Sequence, residues 1–166
     1  MFGNPVSDEA RKFCLAFLRR AEAAFFNYGL ARESLIEVAE SVRGEGPAKA
    51  SLYFRALHLF EVCLAMEWQA ISLFARLTPD KPFKKGDGSD YEKLNRVYNA
   101  SKHYDPASLP PGLVHAVWIT NNGINIDGVC LSFTELEGLM IELGQIADHA
   151  SSCAFRKPTG ENKEIK

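Results

Sequence analysis

From Ser7 onward, apolar or small residues recur at Ala10, Cys14, Phe17, Ala21, Ala24, Tyr28, Ala31, Leu35, Val38 and Val42, at intervals alternating between four and three. This is the heptad period, which keeps one stripe of a helix turned toward a partner. Ser7 suits an N-cap, and Asp8 and Glu9 place negative charge where the helix dipole favours it. Gly29 would ordinarily mark a break. The stripe passes it in register, so the pattern predicts one helix over about 7–43, roughly 54 Å long at 1.5 Å per residue.

The run Gly44-Glu45-Gly46-Pro47 reads as a stop and a restart, with glycine past a helix end and proline at a helix start. A second stripe follows at Leu52, Ala56, Leu59, Cys63, Met66, Ala70, Leu73 and Leu77, predicting a helix over about 48–77. Tyr53, Phe54, Leu57, Phe60, Leu64 and Phe74 widen it well past a seam, so this helix should be central or have a second face buried in an oligomer. The short connection makes the two helices antiparallel neighbours.

After a polar loop rich in proline and glycine, Ser89 and Glu92 form a capping-box signature that opens a third helix over about 90–104. Pro106 disfavours its continuation. The period then changes. VHAVWIT and INIDGVCL are β-branched and aromatic with Asn122-Gly123 between them, which predicts a hairpin over 114–131 whose turn residues take positive φ. A lone hairpin is marginal in water, so Val117, Trp118 or Ile119 should pack on a helix or on a second chain. Ser132 and Glu135 repeat the capping box, with Leu131 and Leu136 as the staple. The last stripe, Leu136, Met140, Leu143, Ala147, Ala150 and Ala154, predicts a helix over about 133–154. The expected architecture is mainly all-α: a four-helix up-and-down bundle with a β-hairpin inserted between helices 3 and 4. It forms one domain over 1–155, followed by a mobile tail at 156–166.

Composition narrows the function classes. A 166-residue chain with 46% apolar and 24% charged residues is an ordinary globular protein, and its net charge of −2 argues against a general grip on nucleic acid. The N-terminus lacks a signal-peptide pattern, and no run of 18 uncharged apolar residues suggests a membrane span, so the expected location is cytoplasmic. Cys14, Cys63, Cys130 and Cys153 form no CxxC pair and read as small buried hydrophobes in a reducing compartment. No Glu-x-x-His or HExxH motif offers a metal site, and no phosphate loop or nucleophile elbow occurs, so neither metal nor cofactor is expected. His58, inside an apolar helix, reads as a core histidine. His115 lies on a predicted strand and His149 late in the last helix, and spacing assigns neither a role. Lys81, Lys84 and Lys85, flanked by Asp80 and Asp87, read as a solvated loop.

Arg96, Asn99 and His103 remain, spaced i, i+3 and i+7 on the third helix and therefore within roughly 60° on one face. A histidine near neutral pKa can move a proton to or from a ribose hydroxyl. An arginine one turn away can hold phosphate and offset charge in the transition state, and Asn99 can orient either. Together they suit metal-independent RNA cleavage through the 2′-hydroxyl.

Arg96 and His103, with six residues between them on a helical bundle of this size, resemble the Arg-x(4–6)-His motif of the HEPN superfamily. The resemblance implies a helical fold, homodimers, and metal-independent ribonucleases in toxin–antitoxin or phage-defence systems, with Arg96 and His103 at the motif positions. Val97 stands where that family typically carries a polar residue. Two functions follow as expectations. One is a homodimeric module, or one bound to an operon-encoded partner, in which Asn99 and His103 tie down the following loop. The other is a ribonuclease acting on RNA through Arg96, Asn99 and His103.

Overall fold

The computed structural model describes residues 7–44, 49–77, 81–102, 117–126 and 128–154. Ser7 caps the first helix, its hydroxyl accepting from the Ala10 amide at 3.1 Å. Helix α1 then runs from Asp8 to Arg43 without a break at Gly29, since burial along the stripe outweighs the roughly 1 kcal/mol that one interior glycine costs. Cys14, Phe17, Ala21, Ala24 and Ala31 are buried, whereas Val42 stands out in solvent.

Helix α2 spans Ala50–Phe74, shorter than the expected 48–77 because Ala75 to Leu77 form a turn. Residues 45–48 of the predicted connection lie outside the described residues. The Phe17 ring lies 5.9 Å from that of Phe74, Arg20 Nη1 lies 3.6 Å from Met66 Sδ, and Glu37 pairs with Arg55. Numbers that rise along α1 fall along α2, so the two helices are antiparallel.

The buried face of α2 departs from the expected stripe. Ala56, Leu57, Phe60, Cys63, Leu64, Glu67, Ala70 and Ile71 are buried, while Leu59 and Met66 are only half-buried and Leu77 is exposed. α2 is covered by α1 on one side and touched by α3 and α4 on others, which turns the centre of its face toward Phe60 and Glu67. The same rotation sets His58 on the solvent side, so it is an exposed histidine and not a core one. By length and composition α2 would also pass as a membrane-crossing helix, with a mean hydropathy of 1.2 over 18 residues, although Arg55, Glu61 and Glu67 interrupt it, so no uncharged apolar run of that length occurs. Here it carries the centre of the core.

Helix α3 runs from Asp90 to Lys102 and buries Leu94 and Val97. His103, His115, the remainder of the expected helix to 104 and the proline-rich connector lie outside the described residues, as does the tail at 156–166.

The hairpin expected over 114–131 is a three-stranded antiparallel meander. It consists of β1 (Trp118–Ile119), β2 (Gly123–Ile126) and β3 (Val129–Ser132), in that order. Ile126 pairs with Val129, so β2 and β3 are separate strands, and Gly128 between them has φ +76°. INIDGVCL is therefore two strands, because Asp-Gly is itself a hairpin signal. Neither Asn122 nor Gly123 has positive φ. The first turn is closed instead by Thr120, whose amide and hydroxyl both donate to the Gly123 carbonyl at 2.8 and 3.1 Å. What Gly123 supplies is clearance: a Cβ there would lie 2.2 Å from the Leu131 carbonyl oxygen. The meander packs as expected on a helix, with Val117 buried and the Ile119 amide donating to Tyr53 Oη of α2 at 2.9 Å.

Helix α4, Phe133–Ala154, begins directly after β3. Its capping box is complete: Glu135 N donates to Ser132 Oγ at 3.1 Å, and Ser132 N donates to Glu135 Oε2 at 2.8 Å. Leu136, Leu139, Met140, Leu143 and Ala150 face the core that all four helices share with the sheet. The fold is mainly helical, four helices with one small antiparallel sheet.

The two turn glycines should respond differently to alanine. Gly123→Ala meets backbone and should lower unfolding free energy by about 3 kcal/mol. Gly128→Ala meets open space and should cost only the left-handed strain, about 1 kcal/mol. Urea midpoints of the two variants check the order, and a reversed order would contradict the register.

Candidate functional site

Arg96 and Asn99, singled out by sequence, sit on α3, which is held at its N-terminal turn. At its N-terminus Ser89 Oγ accepts from the Glu92 amide at 3.3 Å, half of the expected capping box. The other half is redirected. Glu92 does not return to Ser89 but accepts from the Gly86 amide at 2.7 Å and the Gly88 amide at 2.8 Å, one on each carboxylate oxygen. Asp87 takes the Ser89 amide in its place, at 2.9 Å. Along the helix, Lys93 pairs with Glu135 of the α4 cap and lies 3.6 Å from Asp90.

Arg96 is one turn beyond Glu92, its Nη2 3.4 Å from Glu92 Oε1, with half of its side chain in solvent. Asn99 is exposed and donates to Asn95 Oδ1 at 3.1 Å. The structure thus brings Arg96 and Asn99 to one outward face, as the spacing requires, while His103 lies outside the described residues. Arg96, Glu92 and Lys93 border a cleft of about 310 Å³ closed by Gly86, Gly88 and the β2–β3 turn with Cys130. Of the described cysteines, Cys14 and Cys63 are buried as expected, but Cys130 is half-buried at this cleft; the side chain of Cys153 lies outside the described residues.

The electrostatics assign Glu92 a structural part. The Gly86 and Gly88 amides, and then Arg96, hold its carboxyl below the ordinary range, so it stays ionised and is a weak base. Arg96 spends one edge on that carboxylate and keeps donors free for an anion. Among the described residues no histidine stands beside it. The cleft can hold a phosphate or carboxylate through the free donors of Arg96.

The opposite side of α3 holds a group that the sequence reading missed. Glu67 of α2 is fully buried, and both carboxylate oxygens lack a hydrogen-bond partner among the described residues. Burial first, and then the Glu142 charge, push its carboxyl up to about 8. Burial and then Glu142 likewise raise the Tyr91 hydroxyl, and burial raises the Cys63 thiol. Tyr91 and Glu142 border a cavity of about 300 Å³ with Ile71, Phe74, Lys81 and Ile146. The available signal was register: Glu67 is four residues from Cys63 and from Ile71, inside the apolar face. The neighbouring lysines Lys81, Lys84 and Lys85 are exposed as expected, although Phe83 between them is anchored 5.8 Å from the Trp68 ring.

Glu67 makes stability pH-dependent with a definite sign. Between the ordinary carboxylate range and pH 8 the folded protein keeps a proton that the unfolded chain has released, so stability falls as pH rises through that window. Urea midpoints should therefore decline from about pH 5 to about pH 8.5. Glu67→Gln, a neutral isostere, should flatten that decline. A wild-type midpoint that is level across the window would refute a protonated Glu67.

Arg96 and Glu92 should separate by stability. Glu92→Ala leaves the Gly86 and Gly88 amides without their acceptor and should lower the melting temperature clearly. Arg96→Ala, half in solvent, should leave it nearly unchanged. Thermal melts of the two variants decide the point.

Compared with protein-family models, with curated proteins and with solved structures, the chain matches none.

Proposed function

We propose that the chain is a HEPN-like helical module that acts mainly by assembling with protein, as a homodimer or with an operon-encoded partner, in a cytoplasmic toxin–antitoxin or phage-defence setting. The observation that carries this reading is the apolar outer surface. Phe26, Val42, Ile141, Ile36 and Phe54 are 67, 64, 60, 59 and 51% exposed, and of these Phe26 and Ile36 share the outer stripe of α1, where large apolar side chains on one exposed face favour association. The antiparallel α1–α2 pair and the packing of α4 on α1 support an up-and-down order for the four helices. The commitment of Glu92 to backbone amides and of Asn99 to Asn95 supports a positioning role for α3 over a chemical one.

A second reading is a metal-independent ribonuclease using Arg96 and His103 with Asn99. The exposure of Arg96 and Asn99 on one face, beside a cleft open to phosphate, favours it. The test is incubation of the purified protein with a broad panel of RNAs in EDTA, beside a measurement of its mass in solution. The module reading expects intact RNA and a mass above that of one chain. Cleavage that disappears in both Arg96→Ala and His103→Ala, with melting temperatures unchanged, would replace it with the second reading.

A further inference from the structure

Helix α1 carries a second heptad stripe on the side away from the core. Residues 8, 12, 15, 19, 22, 26, 29, 33, 36, 40 and 43 follow the same alternation of four and three, and all are exposed. Its central line holds one residue per heptad: Lys12, Arg19, Phe26, Glu33 and Glu40. The first half is positive and the second negative, and Phe26, the most exposed of the large apolar side chains, stands at the midpoint. Among the described residues, none of these four charged side chains is ion-paired within the chain.

Such a line is complementary to itself when reversed. We propose that two copies of this chain pair antiparallel along the outer stripe of α1, about a two-fold axis at Phe26. This rests on the homodimer part of the reading above and names its interface. Positions equally far from residue 26 come level, so Lys12 meets Glu40 of the second copy and Arg19 meets Glu33, each pair formed twice. The two Phe26 rings meet at the axis. On the neighbouring line Leu15 comes level, within one residue, with Ile36 of the second copy, and Asp8 with Arg43. Leu15 and Ile36 are 44 and 59% exposed, and the pairing would cover both.

Two further features agree. A seven-residue repeat drifts about 20° per heptad on a straight helix, the offset that a left-handed pair of helices takes up. Gly29, in the middle of α1, has nothing within 4 Å of where a Cβ would stand, so no contact within the chain calls for it. It lies one turn from Phe26 and leaves a notch for the ring of the second copy.

Sedimentation of the full chain over about 1–50 µM tests the pairing. Wild type should be a dimer, and Phe26→Asp a monomer with an unchanged far-ultraviolet spectrum. Arg19→Glu sets like charges together at both symmetric sites and should weaken the dimer about tenfold. Adding Glu33→Arg restores opposite charges, and the double variant should return to within about threefold of wild type. Phe26→Cys should cross-link to itself on oxidation, whereas Glu33→Cys, seven residues from the axis, should not. A dimer untouched by Phe26→Asp and Arg19→Glu overturns this interface and leaves the homodimer reading standing. A wild-type monomer throughout the range overturns both.

Discussion

Three alanines on α1, Ala21, Ala24 and Ala31, are fully buried where the helix meets α2. Side chains that small let two helix backbones approach closely over a long distance, and the larger groups that fill the seam come mainly from α2, Phe60 and Leu64 among them. The remainder of the molecule depends on this asymmetry. An alanine-lined helix adds little thickness, so α4 can reach both α1 and α2, and the core extends as one cluster from Phe17 to Leu143 and Ala150. The 36-residue length of α1 also leaves a long outer face that the described residues do not cover.

Against that pair, α3 is a short element that its own burial cannot secure. Thirteen residues are near the limit at which an isolated helix persists in water, and α3 buries only Leu94, Val97 and the Glu92 carboxylate. Its position is fixed by polar ties at both flanks: the loop amides that converge on Glu92, and Lys93 reaching Glu135. Glu135 simultaneously closes the α4 cap, so one carboxylate joins the start of α4 to the first turn of α3. Arg96 and Asn99 are presented on a surface defined by these ties, with Glu92 between Arg96 and the loop.

Much of this was legible in the sequence where a single local rule governed. The unbroken passage through Gly29, the cap at Ser7, and the box at Ser132 and Glu135 each depend on spacing within a few residues. The misjudged parts depend on neighbours distant in sequence. The rotation of the α2 face comes from being covered on more than one side, which no stripe drawn on one helix can register, and it moved His58 outward and Glu67 inward together. Sequence marks Gly123 as a turn residue, but its role is set by the Leu131 carbonyl across the sheet. Asp127-Gly128 is also a hairpin signal in the sequence, hidden because the apolar run continues beyond it. For the site, spacing placed Arg96 and Asn99 on one face, but the diversion of Glu92 to the Gly86 and Gly88 amides depends on a loop fold that residue spacing does not encode.

Glu67 follows from the same geometry and bears most directly on what the core is for. A carboxyl in the middle of a face built from Phe60, Cys63, Leu64 and Ile71 could be replaced by leucine with a gain in packing, and buried polar groups without partners lower stability. Its neighbours do not offset the burial: Cys63 is an apolar thiol, and Glu142 adds like charge. The protein resolves the conflict by keeping the proton, and a neutral carboxylic acid near Tyr91 and Glu142 is a hydrogen-bond donor held in an apolar interior. The cost sits in the central helix, on the side that meets Tyr91 of α3 and Glu142 of α4, so ionising Glu67 weakens the packing of α2 against those two helices.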